Sequence, residues 1–177
     1  IAKAAMERGA KVTLVTGPVS LTPPMFVDIV NVRSAAEMAD VVKAKAGECD
    51  IIIKSAAVAD YRPSKVAKEK IKKNGEASSI ELERTEDILA YLGAHKRKGQ
   101  FICGFSMETE NMLENSKKKL AKKNVDMIVA NNLKTEGAGF GTDTNVVTII
   151  MADETWQLPI MSNDEVANAI LDTILGK

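Results

Sequence analysis

Short apolar runs alternate with longer stretches whose apolar residues recur every three or four positions. The first such stretch, Ala2 to Arg8, predicts a helix stopped by Gly9. Lys11 to Thr16 alternates β-branched and apolar side chains and predicts a strand. GPVSLTPP follows as a loop stiffened by Pro18, Pro23 and Pro24. Val27 to Val32 predicts a second strand, and Ser34 with Glu37 three residues on opens a capped helix that ends at Gly47. Cys49 to Lys54 predicts a third strand. Downstream, Ser79 to Glu83 predicts a short strand, Asp87 to Lys96 a helix, and Gln100 to Phe105 a strand. Thr109 caps a long lysine-rich helix, and Val125 to Ala130 is strand again.

The end of the chain changes pattern. NVVTIIMADETWQLPI predicts two antiparallel strands turning near Asp153 and Glu154, and Asn163 or Asp164 caps a final amphipathic helix reaching Gly176. Strand and helix in this order predict an α/β domain with a Rossmann-like, doubly wound, mostly parallel sheet and a C-terminal antiparallel hairpin extension. Residues 1–177 are expected to form one domain. The chain opens without Met and reads as starting inside a helix already under way, so an N-terminally truncated domain is expected.

Composition narrows the functions. Lys plus Arg equal Asp plus Glu at 24 each, so a general nucleic-acid coat is not expected. No apolar run approaches the roughly 18 residues of a membrane span. Cys49 and Cys103 lie in apolar runs and read as free thiols of a cytoplasmic protein. His95 is the only histidine and sits in a polar helix end, a poor setting for a triad or a histidine metal site.

The candidate chemistry lies where strands end, because open α/β sheets collect ligands there. After the third strand, SAAVAD brings small side chains that let backbone approach a ligand, then Asp60. Asp60 could hold a hydroxyl or a phosphate-bound metal, and it equally suits a turn before YRP. Lys65, Lys68, Lys70, Lys72 and Lys73 follow within nine positions, suiting either a polyphosphate or a solvated loop. Residues 61–78 read as a mobile lysine-rich flap. TEDILAY puts Asp87 and Ile88 at a helix start, where backbone N–H groups can meet an anion. Phe105 ends a strand and suits either core or base stacking, while Lys119 and Lys123 share a helix face. GAGFG does not run from a strand into a helix and fails the context of a dinucleotide loop.

Taken together and in order, KSAAVADYRP, KEKIKK, GFSMETEN and ANNL…GAGFGTDTN resemble the phosphopantothenate–cysteine ligase family over almost the whole chain. The resemblance implies joining of 4'-phosphopantothenate to L-cysteine through an acyl-cytidylate, with CTP favoured over ATP and with Mg²⁺. It implies that Ser55, Ala56 and Ala57 line the nucleotide and intermediate site, and that Asp60 binds nucleotide partly through the cation. Lys70 matches the flap lysine that forms the acyl-cytidylate. Ile88, Leu89, Ala90 and Tyr91 fall where the family contacts nucleotide, as do Phe105, Lys119 and Lys123. The family is dimeric, so a homodimer is expected. Its bacterial members are often fused to a decarboxylase half, and FMN is expected only with such a fusion. The family's upstream loop N-x-S-S-G-x-M-G does not occur here, so the chain is expected to lack the N-terminal strand and phosphate-binding loop and to be impaired on its own. The competing readings are an NAD(P)-binding oxidoreductase and a non-catalytic nucleotide-binding or dimerisation module.

Overall fold

Gly9 adopts φ of 86°, a conformation that ordinary residues disfavour, and ends α1 (Ala2–Glu7) where the sequence places the stop. This computed structural model describes residues 1–67, 69–72, 79–107, 111–131 and 143–176. After α1 come β1 (Thr13–Thr16) and β2 (Asp28–Asn31), which pair in parallel. The α2 helix (Ala35–Ala46) starts at Ser34, whose hydroxyl accepts the Glu37 N–H at 3.1 Å. Glu37 reaches back to the N–H of Arg33 rather than of Ser34, a one-residue variant of the expected box.

The β3 strand (Ile51–Lys54) leads to a two-stranded ribbon of which the sequence predicts one strand. Here β4 (Tyr61–Pro63) pairs antiparallel with β5 (Leu82–Arg84), tied by the Arg62–Glu83 ion pair at 2.8 Å. The β5 strand overlaps the expected strand Ser79 to Glu83 and runs one residue further, whereas β4, exposed throughout and inside the stretch read as a flap, shows no hydrophobic alternation to reveal it. Next come α3 (Ile88–Ala94), β6 (Phe101–Met107), α4 (Met112–Lys123) and β7 (Met127–Asn131). The expected cap Thr109 and the glycines of residues 137–141 lie outside the described residues. The observed N-cap of α4 is Asn111, which is left-handed and makes no side-chain cap bond.

The predicted hairpin is β9 (Val147–Ile150) with β10 (Thr155–Gln157), and a small bridge joins β8 (Thr144–Asn145) to β11 (Met161–Ser162). Ser162, not Asn163 or Asp164, caps α5 (Asn163–Leu175). The reason is reciprocal bonding: its hydroxyl accepts the Glu165 N–H at 3.2 Å, and the Glu165 carboxylate accepts the Ser162 N–H at 2.8 Å.

The main sheet runs in the order β10-β9-β7-β6-β3, parallel through β3, β6 and β7 and antiparallel at the β9–β10 edge. Strand periodicity sends neighbours to opposite faces. Ile102 and Ile128 pack beneath α2, α3 and α4, whereas Cys103, Met127 and Val129 pack beneath α5 through Val166 and Ile170. Fully burying such side chains stabilises by about 1.5–3 kcal/mol each. Helix α1 lies against α5, where Arg8 meets Asp172 at 2.7 Å. Among the described residues the β1–β2 pair forms its own sheet, and a mainly apolar cavity of about 710 Å³ separates β1 from β3.

Candidate nucleotide cleft

The parallel strands β3 and β6 end side by side, with Lys54 opposite Gly104 in register. Their C-terminal ends open into a cleft of about 390 Å³, floored by residues 54–60 and 105–107 and walled by the starts of α3 and the lysine face of α4. Of the expected site residues, Ser55, Ala56, Ala57, Asp60, Ile88, Leu89, Phe105, Lys119 and Lys123 all line it. They come from four separate segments of chain.

Packing sets the position of each wall. Gly104 has no Cβ because one would lie 2.5 Å from the Leu89 side chain, so α3 rests directly on β6. A Cβ on Gly93 would lie 1.7 Å from the Lys123 carbonyl oxygen, so α3 also abuts the end of α4. Asn124, at φ of 50°, closes that junction by donating to the Gly93 carbonyl at 2.9 Å. On the other side of α4, the buried Ser116 and Ser106 hydroxyls bond at 2.8 Å. This joins the helix to β6 beside Phe105, so Lys119 and Lys123 are fixed relative to the strand end.

The electrostatics are uneven. The Asp87 carboxylate caps α3 by accepting the Ala90 N–H at 3.0 Å and also accepts from Lys123, at 2.8 Å to one oxygen. Burial alone would raise this carboxyl, but the Lys123 ammonium, the Ala90 N–H and Lys54 together hold it below its ordinary value. The N-terminus of α3 therefore carries its own anion. Lys54 is the opposite case: burial first, then Lys123 and Lys119, lower its ammonium below the usual lysine range, against the pull of Asp87 and Asp60. Its Nζ donates to the Ala56 carbonyl at 2.6 Å.

Three expected residues lie elsewhere. Ala90 and Tyr91 do not line the cleft; the Tyr91 ring stacks on His95 at 4.1 Å and lies under the Lys43 ammonium. Lys70 is exposed, on the segment that leaves from β4 and returns through β5. That segment starts and ends at the cleft rim, because β4 follows Asp60 directly and the Thr85 N–H donates to the Asp60 carbonyl at 2.9 Å. Conversely, Lys54, Thr85 and Asn131 line the cleft without having been expected there. Lys54 had a signal: a charged residue closing an otherwise apolar strand.

The donor set suits a metal carried in by its ligand. Among the described residues no cluster of three or more His, Cys, Asp or Glu could hold a cation, while exposed Asp60 can offer one carboxylate to a metal that keeps phosphate and water ligands. Both cysteines are free thiols, with Cys103 buried and its thiol pushed far up by burial.

Fold and cleft define an open α/β domain with a lysine-walled cleft at the ends of its parallel strands. The chain belongs to the family described as the DNA/pantothenate metabolism flavoprotein C-terminal domain, whose model matches residues 1–177. It is 47% identical over 176 residues to the coenzyme A biosynthesis bifunctional protein CoaBC of Bacillus subtilis, covering 98% of this chain and 43% of that protein. This chain thus spans less than half the length of that relative. Its fold is similar to the crystal structure of the C-terminal domain of a CoaBC protein, with a TM-score of 0.81 and 45% identity over 98% of this chain and 79% of that one. A Cab2 variant in complex with phosphopantothenate-cysteine shares the fold at a TM-score of 0.65, with 16% identity over 83% of this chain and 52% of that one.

Proposed function

We propose that this chain is the nucleotide-binding and acyl-activating part of a phosphopantothenate–cysteine ligase, acting in cytoplasmic coenzyme A biosynthesis. The observation that carries the reading is the gathering of Ser55, Ala56, Asp60, Phe105, Lys119 and Lys123 around one cleft at the sheet's ligand-binding edge. Kinship with the CoaBC proteins supports the pathway.

In this reading CTP lies across the strand ends. The small side chains of Ser55, Ala56 and Ala57 let the backbone approach the nucleotide, and Phe105 offers a ring to it. Lys119 and Lys123 neutralise phosphate charge, and Lys70 joins them from the expected flap of residues 61–78, of which 68 and 73–78 lie outside the described residues. Asp60 would hold Mg²⁺ brought in with the nucleotide, and the ion would supply further charge neutralisation at the phosphates. A carboxylate oxygen of 4'-phosphopantothenate attacks the α-phosphorus, the bond to the β-phosphate oxygen breaks, and pyrophosphate leaves. The cysteine amine then attacks the acyl carbon, the bond to the CMP oxygen breaks, and the amine loses its proton. Positioning and charge neutralisation account for most of the required catalysis. Closure of the flap also keeps water from the acyl-cytidylate.

Two further parts of the reading concern the whole protein. The cavity between β1 and β3 accommodates an additional parallel strand carrying the family's asparagine-bearing phosphate loop, and the protein acts as a homodimer. FMN belongs to a decarboxylase half where the whole protein carries one. The test is product formation by the whole protein with CTP or ATP. CTP-dependent phosphopantothenoylcysteine is expected, and it should be nearly abolished in Lys70→Gln with the melting temperature unchanged. Normal cytidylate formation by that variant would remove Lys70 from the mechanism. Tight NAD(P)H binding without ligation would favour the oxidoreductase reading instead.

A further inference from the structure

Lys54 stands apart from the other cations of the cleft. It is half-buried at the end of β3, directly beside Gly104 on β6, and it faces the same space as Lys119 and Lys123. Lys123 is matched by Asp87 at 2.8 Å, and Glu86 on the same rim is engaged by Lys43 at 2.6 Å. For Lys54 the described residues include no carboxylate within ion-pair distance; its ammonium rests on the neutral Ala56 carbonyl. That carbonyl already accepts the Val58 N–H at 3.1 Å, so its bonding needs are met without the lysine.

A half-buried ammonium near two others is costly unless an anion compensates it. The lowered proton affinity of Lys54 reports that cost. The cost falls when a polyphosphate enters between the strand ends and α4, and the relief counts toward binding. We propose that Lys54 is a further phosphate-binding residue of the cleft, held on the Ala56 carbonyl until a polyphosphate draws its ammonium across. This rests on the nucleotide reading of the cleft and adds to it a residue whose side chain that reading does not use.

Isothermal titration of the whole protein tests this, with CTP, inorganic tripolyphosphate and cytidine as probes at fixed Mg²⁺ and low salt. Lys54→Met keeps the aliphatic stem and removes the charge; Lys54→Arg keeps the charge. The Met variant is expected to bind CTP and tripolyphosphate about tenfold or more weakly, the scale of one hydrogen bond to a charged group. Cytidine affinity should stay within about twofold, and the Arg variant should retain most of the tripolyphosphate affinity. The Met variant should melt no lower than wild type, since a destabilising charge is gone; if it does melt lower, Lys54→Gln replaces it. Tripolyphosphate binding by the uncharged variant within about twofold of wild type overturns the proposal, as does a wild-type protein that binds no tripolyphosphate. If tripolyphosphate binding depends on Lys54 but the protein forms no ligation product, only the ligase reading falls. If product forms and binding is indifferent to Lys54, only this inference falls.

Discussion

Asp87 has two tasks, as the cap of α3 and as the partner of Lys123. Asn caps helices nearly as well as Asp, so Asp87→Asn separates them. Because the folded-state carboxyl titrates below its ordinary value, its contribution to stability is fully present above that value. It is lost as pH falls through the lowered folded value. Wild-type protein should therefore lose melting temperature faster than Asp87→Asn as pH is brought down through the carboxylate range. Parallel acid profiles for the two proteins would contradict the pairing. At Ser116 the expectation is simpler. Ser116→Ala leaves the buried Ser106 hydroxyl without its partner and should cost about 1–2 kcal/mol in denaturant unfolding. Lys54 shows what the sequence conceals at this scale. Its position at the end of an apolar strand is legible, but whether its ammonium points to solvent or to two other lysines depends on where α4 lands. Ala90 and Tyr91 show the converse, since adjacency to Ile88 and Leu89 in sequence puts only part of a helical turn on any one surface.

At the scale of elements, glycines without side chains decide how closely α3 approaches its neighbours. Gly93→Ala would place a methyl 1.7 Å from the Lys123 carbonyl oxygen, and backbone cannot yield as a side chain does. The expected loss is roughly 2–3 kcal/mol, with weaker CTP binding because Lys123 moves. Gly104→Ala meets the end of the Leu89 side chain and should cost less, and Gly47→Ala, with nothing within 4 Å, should be nearly neutral. Equal stabilities for the three variants would contradict this account of the α3 contacts. Most helices and the buried strands are legible because their periodicities differ and their caps are chemically explicit. The β4–β5 ribbon is legible only in part: β5 overlaps the expected strand Ser79 to Glu83, whereas β4 buries no apolar face and its pairing is long-range. The cap of α5 falls one residue early because Ser162 and Glu165 bond reciprocally, a spacing written in the sequence but outweighed there by the neighbouring Asn163 and Asp164.

Across the described residues, the parallel strands fall into two separate sheets, β1-β2 and the one holding β3, β6 and β7, where the alternation of elements suggests one. Parallel pairing and strand order are long-range facts that no local pattern contains, so the separation of β1 from β3 becomes visible only in three dimensions. An open apolar cavity between them forfeits packing on both sides. On the proposal that a further parallel strand fills this cavity in the whole protein, the whole protein should melt higher than residues 1–177 alone and protect the amides of β1 and β3 from exchange. No change in either would contradict the added strand. The cleft itself is built without such a strand, since its walls come from the ends of β3 and β6 and from α3 and α4.

The central claim is that the cleft activates a carboxylate with a nucleotide. It is tested most directly by mass spectrometry on the whole protein mixed with CTP, Mg²⁺ and 4'-phosphopantothenate without cysteine. The account predicts accumulation of 4'-phosphopantothenoyl-cytidylate with release of pyrophosphate, and its conversion to the cysteine amide and CMP when L-cysteine is added. A protein that binds CTP yet forms neither acyl-cytidylate nor pyrophosphate under these conditions would contradict it.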